Sequence, residues 1–117
     1  MPDIIFLWSS ANAEHLAKHG VAPEEAEYIV GHAQPPFPEN VGGAKRSVWG
    51  QTPRGRFLQV IFVHVFIDDV TVDEYERLEF HERIALDAGE PAARIIHSRD
   101  LTEAEKKRLR RRKRGRR

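Results

Sequence analysis

The chain has 117 residues, with 19 Lys or Arg against 18 Asp or Glu, six His and no Cys. That length holds one domain with one core and leaves no room for a second catalytic domain. The absence of cysteine excludes a disulfide framework and a thiolate metal cage. With no signal-peptide pattern and no apolar run of about 18 residues, a cytoplasmic protein without a membrane partner is expected.

The near-zero net charge conceals a segregation. Between Glu103 and Arg117 ten basic residues face two glutamates, and between Asp68 and Glu90 nine acids face two arginines. The rest of the chain is neutral, so a near-neutral scaffold carries an acidic insert and a basic tail. The tail's charge points to a polyanion partner.

In chain order, Ile4 to Trp8 has the length of a buried strand, and Ser9 or Ser10 suits the cap of a helix whose apolar positions are Ala13, Leu16 and Ala17. Gly20 ends that helix. Pro23 suits the first position of a second helix, and Glu24 and Glu25 sit where the dipole favours negative charge. Gln34 to Gly43, with three prolines and two glycines, reads as loop.

Two strands, Arg46 to Gln51 and Arg56 to Ile67, flank the Thr52-Pro53-Arg54-Gly55 turn and predict a hairpin. Phe57 to Phe66 is nearly continuous in β-branched and aromatic residues, so a central strand covered on both faces is expected. Val72 to Ala88 reads as one helix with a thin apolar face and Asp73 and Glu76 in cap positions, stopped by Gly89 and Pro91. Ala92 to His97 is a strand. Thr102-Glu103-Ala104-Glu105 is a capping box that opens a basic helix, which is expected to fray into disorder past about Arg112. The fold class that follows is α+β with a mainly antiparallel sheet. It comprises a single domain over 1–112 with a helical insert at 68–91, then a disordered tail at 113–117.

Chemistry has few candidate seats. His15 and His19 are four apart, but there is no HExxH, and His32, His64, His81 and His97 lie on unrelated elements, so no metal site is expected. Neither a GxSxG elbow nor a phosphate-cradling glycine loop occurs. The remaining signal is a set of cations at element ends: Lys18, His19, Arg46, Arg54, Arg56 and Arg99. Metal-free RNA cleavage must activate the 2′-OH, stabilise charge on phosphorus and help the 5′-oxygen leave. The arginine fork suits the phosphate and histidine suits proton transfer.

Duller roles fit the same residues. Lys18 and His19 stand where cations complement a helix dipole, Arg54 sits at a turn tip, Arg56 is placed to guard a strand edge, and Glu105 belongs to the capping box. In the tail, Lys106, Lys107 and Arg108 with the arginines that follow surround a helix, a pattern for gripping phosphates without sequence readout.

Three segments together resemble the BrnT-like toxins. They are Trp8, Asn12 and Lys18-His19-Gly20-Val21 before Glu24-Glu25-Ala26; Arg46 to Thr52 with Arg54 to Val60; and Ile95 to Thr102 with Glu105-Lys106. The resemblance covers roughly 4–65 and 92–112. It implies a RelE-like fold with N-terminal helices on the sheet, and a metal-independent endoribonuclease that arrests translation. It further implies a BrnA-type antitoxin as partner, and DNA contact only through the toxin-antitoxin complex. By that analogy His19, Arg54 or Arg56, and Arg99 belong to the active surface, with Lys18, Arg46 and Glu105 nearby. Joined to the charge pattern, this gives His19, Arg56 and Arg99 as the expected catalytic residues, Lys18, Arg46, Arg54, Lys106, Lys107 and Arg108 as expected RNA contacts, and no cofactor. The alternative from another class is a non-catalytic module that binds nucleic acid or a protein partner on the same fold.

Overall fold

The computed structural model describes residues 4–114, with side chains through Arg112. Among the described residues five helices pack on a mixed five-stranded sheet, an α+β arrangement, whose strands lie side by side in the order Phe6–Leu7, Ala92–Asp100, Phe57–Val65, Lys45–Gln51 and Glu39–Asn40. Only β1 (Phe6–Leu7) runs parallel to its neighbour β5 (Ala92–Asp100). The pairings of β2 (Glu39–Asn40), β3 (Lys45–Gln51) and β4 (Phe57–Val65) are antiparallel, so the sheet is mainly antiparallel as expected.

Local chemistry explains most boundaries. The Ser9 side chain accepts a hydrogen bond from the Asn12 amide and caps α1 (Ser10–Lys18), while Gly20 at φ 68° takes the left-handed turn after it. Pro23 opens α2 (Pro23–Gly31), where Glu25 Oε1 accepts from the Ala22 amide at 3.0 Å. The β3–β4 turn closes with Gly55 at φ 93° and its amide donating to Thr52 O at 2.8 Å. Thr102 and Glu105 cap α5 (Glu103–Arg114) reciprocally, at 3.2 and 2.8 Å. The α5 backbone stays helical through Arg114, past the point of expected fraying, and 115–117 of the expected disordered tail lie outside the described residues.

Successive strand residues face opposite ways, and along β4 the buried residues follow that alternation. Leu16, Ile29, Val48, Leu58, Val60, Phe62, Ala93 and Ile95 belong to one core cluster. Ile5, Leu7, Val65, Leu78, Leu86 and Ala92 form a second. Ala92 and Ala93 are adjacent in one strand yet lie in different clusters, which puts the clusters on opposite faces of the sheet. The α1 and α2 helices cover one face, and the 68–91 insert docks on the other.

Four expectations need correction. The insert is two short helices, α3 (Val72–Glu76) and α4 (Phe80–Asp87), rather than one. The cap of α3 is Thr71 with Glu74, not Asp73 or Glu76. The chain breaks because Leu78 turns into the second core, and Arg83 donates to Tyr75 O and Glu76 O at 3.0 and 2.7 Å, satisfying the end of α3. Along β4 only alternate residues are buried, with Phe57, Gln59, Ile61 and Val63 half-buried, so one face of the central strand is partly open. Within the segment read as loop, Glu39 and Asn40 pair with Ser47 and Arg46 as an edge strand.

Candidate functional site

The short β1 strand governs where functional side chains collect. It covers β5 only at Ala93 and Arg94, so beyond that point β5 is an edge. Helix α1 lies along this edge: the Asn12 side-chain amide donates to Ile95 O at 3.3 Å, and Leu16 and Ile95 are both fully buried in the same cluster. A bulge near Ile96 places Ile95 opposite buried Phe62 and His97 opposite Ile61.

That arrangement brings three histidines together. His15 and His19 stand one turn apart on α1 and its C-cap, and His97 reaches from β5. The ring centroids are 5.5 Å (His15–His19), 5.9 Å (His15–His97) and 5.3 Å (His19–His97) apart. His15 and His19 are exposed and His97 is half-buried. Burial is the main cause that pushes the His97 pKa below the ordinary histidine value, assisted by His19, His15 and Arg99. The expectation that His97 lies on an element unrelated to the His15–His19 pair is corrected: His15, His19 and His97 form one cluster. The missed signal was the pair four apart, together with a third histidine two residues before Arg99 at a strand exit.

Arg56 and Arg99 are near this cluster but are both engaged. Arg56 Nε and Nη2 donate to the two oxygens of Asp100 at 2.8 and 3.2 Å, and Nη1 donates to Gly20 O at 2.6 Å and Glu25 Oε1 at 3.2 Å. The second Nη2 hydrogen reaches His19 O at 3.5 Å, which occupies all five guanidinium donors. Arg56 is thereby a clamp joining the α1–α2 turn to the end of β5. Its pKa is raised and that of Asp100 lowered, each chiefly by the hydrogen bond they share.

Arg99 makes a fork-to-fork pair with Glu105, Nη1–Oε1 and Nη2–Oε2 both 2.8 Å, and Nη1 also donates to Asp100 O at 3.0 Å. The Arg99 hydrogen bond is the largest influence on Glu105 and holds its pKa at about 2. About a third of the Arg99 side chain remains exposed. The capping role of Glu105 is therefore joined to a second one, orienting Arg99.

The other candidate cations divide by position. Lys18 is exposed at the end of α1 beside His19, Arg54 is exposed at the hairpin tip, and Lys107 is exposed on α5. Arg46, on β3, donates to Lys45 O at 3.3 Å. Lys106 pairs with Glu103 at 2.9 Å and lies 5.7 Å from the Phe57 ring centre. Arg108 lies 5.4 Å from the ring centre of Trp49, and Arg110 5.1 Å from that of Phe57. Arg112 sits over both Phe37 and Trp49, at 5.4 and 5.8 Å. A cleft of about 450 Å³ opens next to this layer, lined by Tyr28, His32, Phe37, Trp49, Leu109 and Arg112. Arginines and aromatic rings thus form a cation–π layer beside the open cleft. Trp49 and Phe57 were not singled out from the sequence, since on a strand they read as ordinary core.

No protein family, curated protein or solved structure matches this chain.

Proposed function

We propose that the chain is a small metal-independent endoribonuclease of the BrnT-like toxin kind, with the RelE-like fold. In this reading it acts in the cytoplasm to cleave RNA and arrest translation. The single observation behind this reading is the meeting of His19 with His15 and His97 next to Arg99. Metal-free phosphodiester cleavage needs two proton-transfer groups and a cation within reach of one phosphate, and such a cluster contains both.

In this reading one imidazole takes the proton of the ribose 2′-OH as its oxygen attacks phosphorus. A second gives a proton to the departing 5′-oxygen, leaving a 2′,3′-cyclic phosphate and a 5′-OH. His19 is the principal proton-transfer group. Arg99, pre-oriented by Glu105, stabilises the charge on the pentacoordinate phosphorus. Arg56, with every donor already used, is a positioning residue that fixes the His19–Gly20 backbone. Lys18, Arg46, Arg54, Lys106, Lys107 and Arg108 draw in the RNA. An antitoxin of BrnA type is the expected protein partner, and DNA is contacted only through their complex.

The purified protein incubated with messenger RNA, followed by mapping of the fragment ends, tests this. Cuts ending in cyclic phosphate that vanish in His19→Ala and Arg99→Ala variants are expected. Intact RNA, or cuts that persist equally in both variants, overturn the reading.

A second reading, a non-catalytic module that grips nucleic acid, draws on a different observation: the arginines of α5 layered over Trp49 and Phe57. It predicts RNA binding without cleavage, abolished by removing residues 106–117 and unaffected by His19→Ala.

A further inference from the structure

We propose that His15, His19 and His97 form a binding site for one divalent transition-metal ion of the zinc class, and that its occupancy switches the ribonuclease off. The inhibitory part rests on the ribonuclease reading; the site itself does not.

Each ring offers a nitrogen, and the three nitrogens lie within 4.8 Å of one another. Zinc binds imidazole nitrogen at about 2.0–2.1 Å in tetrahedral geometry, which sets ligand nitrogens roughly 3.4 Å apart. The contraction needed is therefore about 1.4 Å or less, by comparison with that ideal spacing. His15 and His19 are exposed side chains at the end of a helix, and torsions at their side chains supply such a shift without moving the backbone. The backbones themselves are held by the Asn12–Ile95 hydrogen bond and by the burial of Leu16 and Ile95.

The donor set then selects the ion. Three imidazoles and no carboxylate suit zinc, copper or nickel, and are a poor match for the oxygen-seeking magnesium and calcium. The exposure of His15 and His19 leaves a fourth position open to water, the three-histidine form that zinc takes at open sites. No hydrogen bond engages these rings among the described residues. His32 is different, with Nδ1 at 2.9 Å from Tyr28 O. The cluster's nitrogen lone pairs are thus available, although without outer-shell partners to orient the rings the affinity falls below that of a carboxylate-supported site. Ligation takes the lone pair of each imidazole and displaces any proton there. A metal-bound His19 can neither accept nor donate the proton that cleavage requires.

Titration of the full-length chain with zinc chloride, followed by calorimetry, and with cobalt chloride, followed by visible absorption, tests the site directly. One ion per chain is expected, with the intense visible bands of four-coordinate cobalt. In His15→Ala the affinity is expected to fall by more than the roughly 10–100-fold that loss of an outer partner costs. His32→Ala is expected to bind as the parent does. The site is overturned by binding that is unchanged in a folded His15→Ala, His97→Gln double variant, or by the faint spectrum of six-coordinate cobalt. The readout is metal alone, so a chain that binds zinc and never cuts RNA upholds the site and sinks the ribonuclease reading. A chain that binds zinc and cuts RNA equally well with it overturns the inhibition.

Discussion

Arg56, at the start of the hairpin's second strand, holds Asp100, the last residue of β5, through two hydrogen bonds of 2.8 and 3.2 Å. The same guanidinium reaches back to Gly20 O and Glu25, so three distant segments meet on one side chain. Arg56→Ala leaves these acceptors without their partner and is expected to destabilise the fold by about 2–3 kcal/mol, as loss of a charge-assisted hydrogen-bonded group does. Asp100→Asn, which keeps one acceptor, is expected to cost less. Urea denaturation followed by circular dichroism measures both. An Arg56→Ala variant as stable as the parent would show that the clamp holds nothing.

The Arg99–Glu105 pair carries the pH dependence. Glu105 has a folded pKa of about 2 against an ordinary 4.5, so the folded state binds its proton less readily than the unfolded state. Its contribution is present above about pH 4.5 and is lost as the pH falls toward 2. Glu105→Gln removes the charge but keeps a cap acceptor for Thr102. It is expected to cost about 1–3 kcal/mol at neutral pH and to flatten the fall in stability between pH 5 and 2. Thermal unfolding across that range provides the check, and an identical slope in both proteins contradicts the assignment.

Local signals were legible in the sequence where short-range chemistry decided the outcome. Ser9, Pro23, Gly55 and the Thr102–Glu105 box each fixed a boundary, because capping and turn geometry act within four residues. The break at Leu78 was not legible. The helical spacing of Tyr75, Leu78, Ala85 and Leu86 continues across it, and only docking on Ile5, Leu7 and Val65 decides that Leu78 must turn inward. The same holds at the site. Arg99 and His19 stood out as cations at element ends, whereas the meeting of His97 with α1 depends on how short β1 is and on a bulge near Ile96. The partners of Arg56, namely Glu25 and Asp100, are 31 and 44 residues away in sequence, beyond any periodicity.

Besides its apolar docking, the insert is tied to β5 by an ion pair between Glu74 and Arg94. Glu74 is nearly inaccessible, accepts both Arg94 nitrogens at 2.7 Å, and completes the Thr71 cap. Burial opposes its charge, but Arg94 and the Thr71 amide outweigh that and lower its pKa. Glu74→Ala strands Arg94 against the second core, and a loss of about 3 kcal/mol is expected, at the low end for breaking a buried pair, because Arg94 stays partly exposed. Hydrogen exchange is expected to quicken first in 67–91. Uniform acceleration over all strands contradicts a locally anchored insert.

The basic face of α5 makes a prediction that separates electrostatics from stacking. Lys107 and Arg111 are exposed one turn apart on a helix whose Leu109 is buried, so both can meet phosphate while the helix stays docked. Replacing both by Ala is expected to weaken single-stranded RNA binding at low salt. It should also reduce the slope of log affinity against log salt by about 1.4, two contacts at roughly 0.7 each. Trp49→Leu, by contrast, is expected to lower affinity by about 1–3 kcal/mol through lost stacking while leaving that slope unchanged. Filter binding of a short oligonucleotide across a salt series measures both quantities. If Trp49→Leu changes the slope and the double variant does not, the phosphate contacts lie with the arginines over Trp49 rather than with the exposed pair.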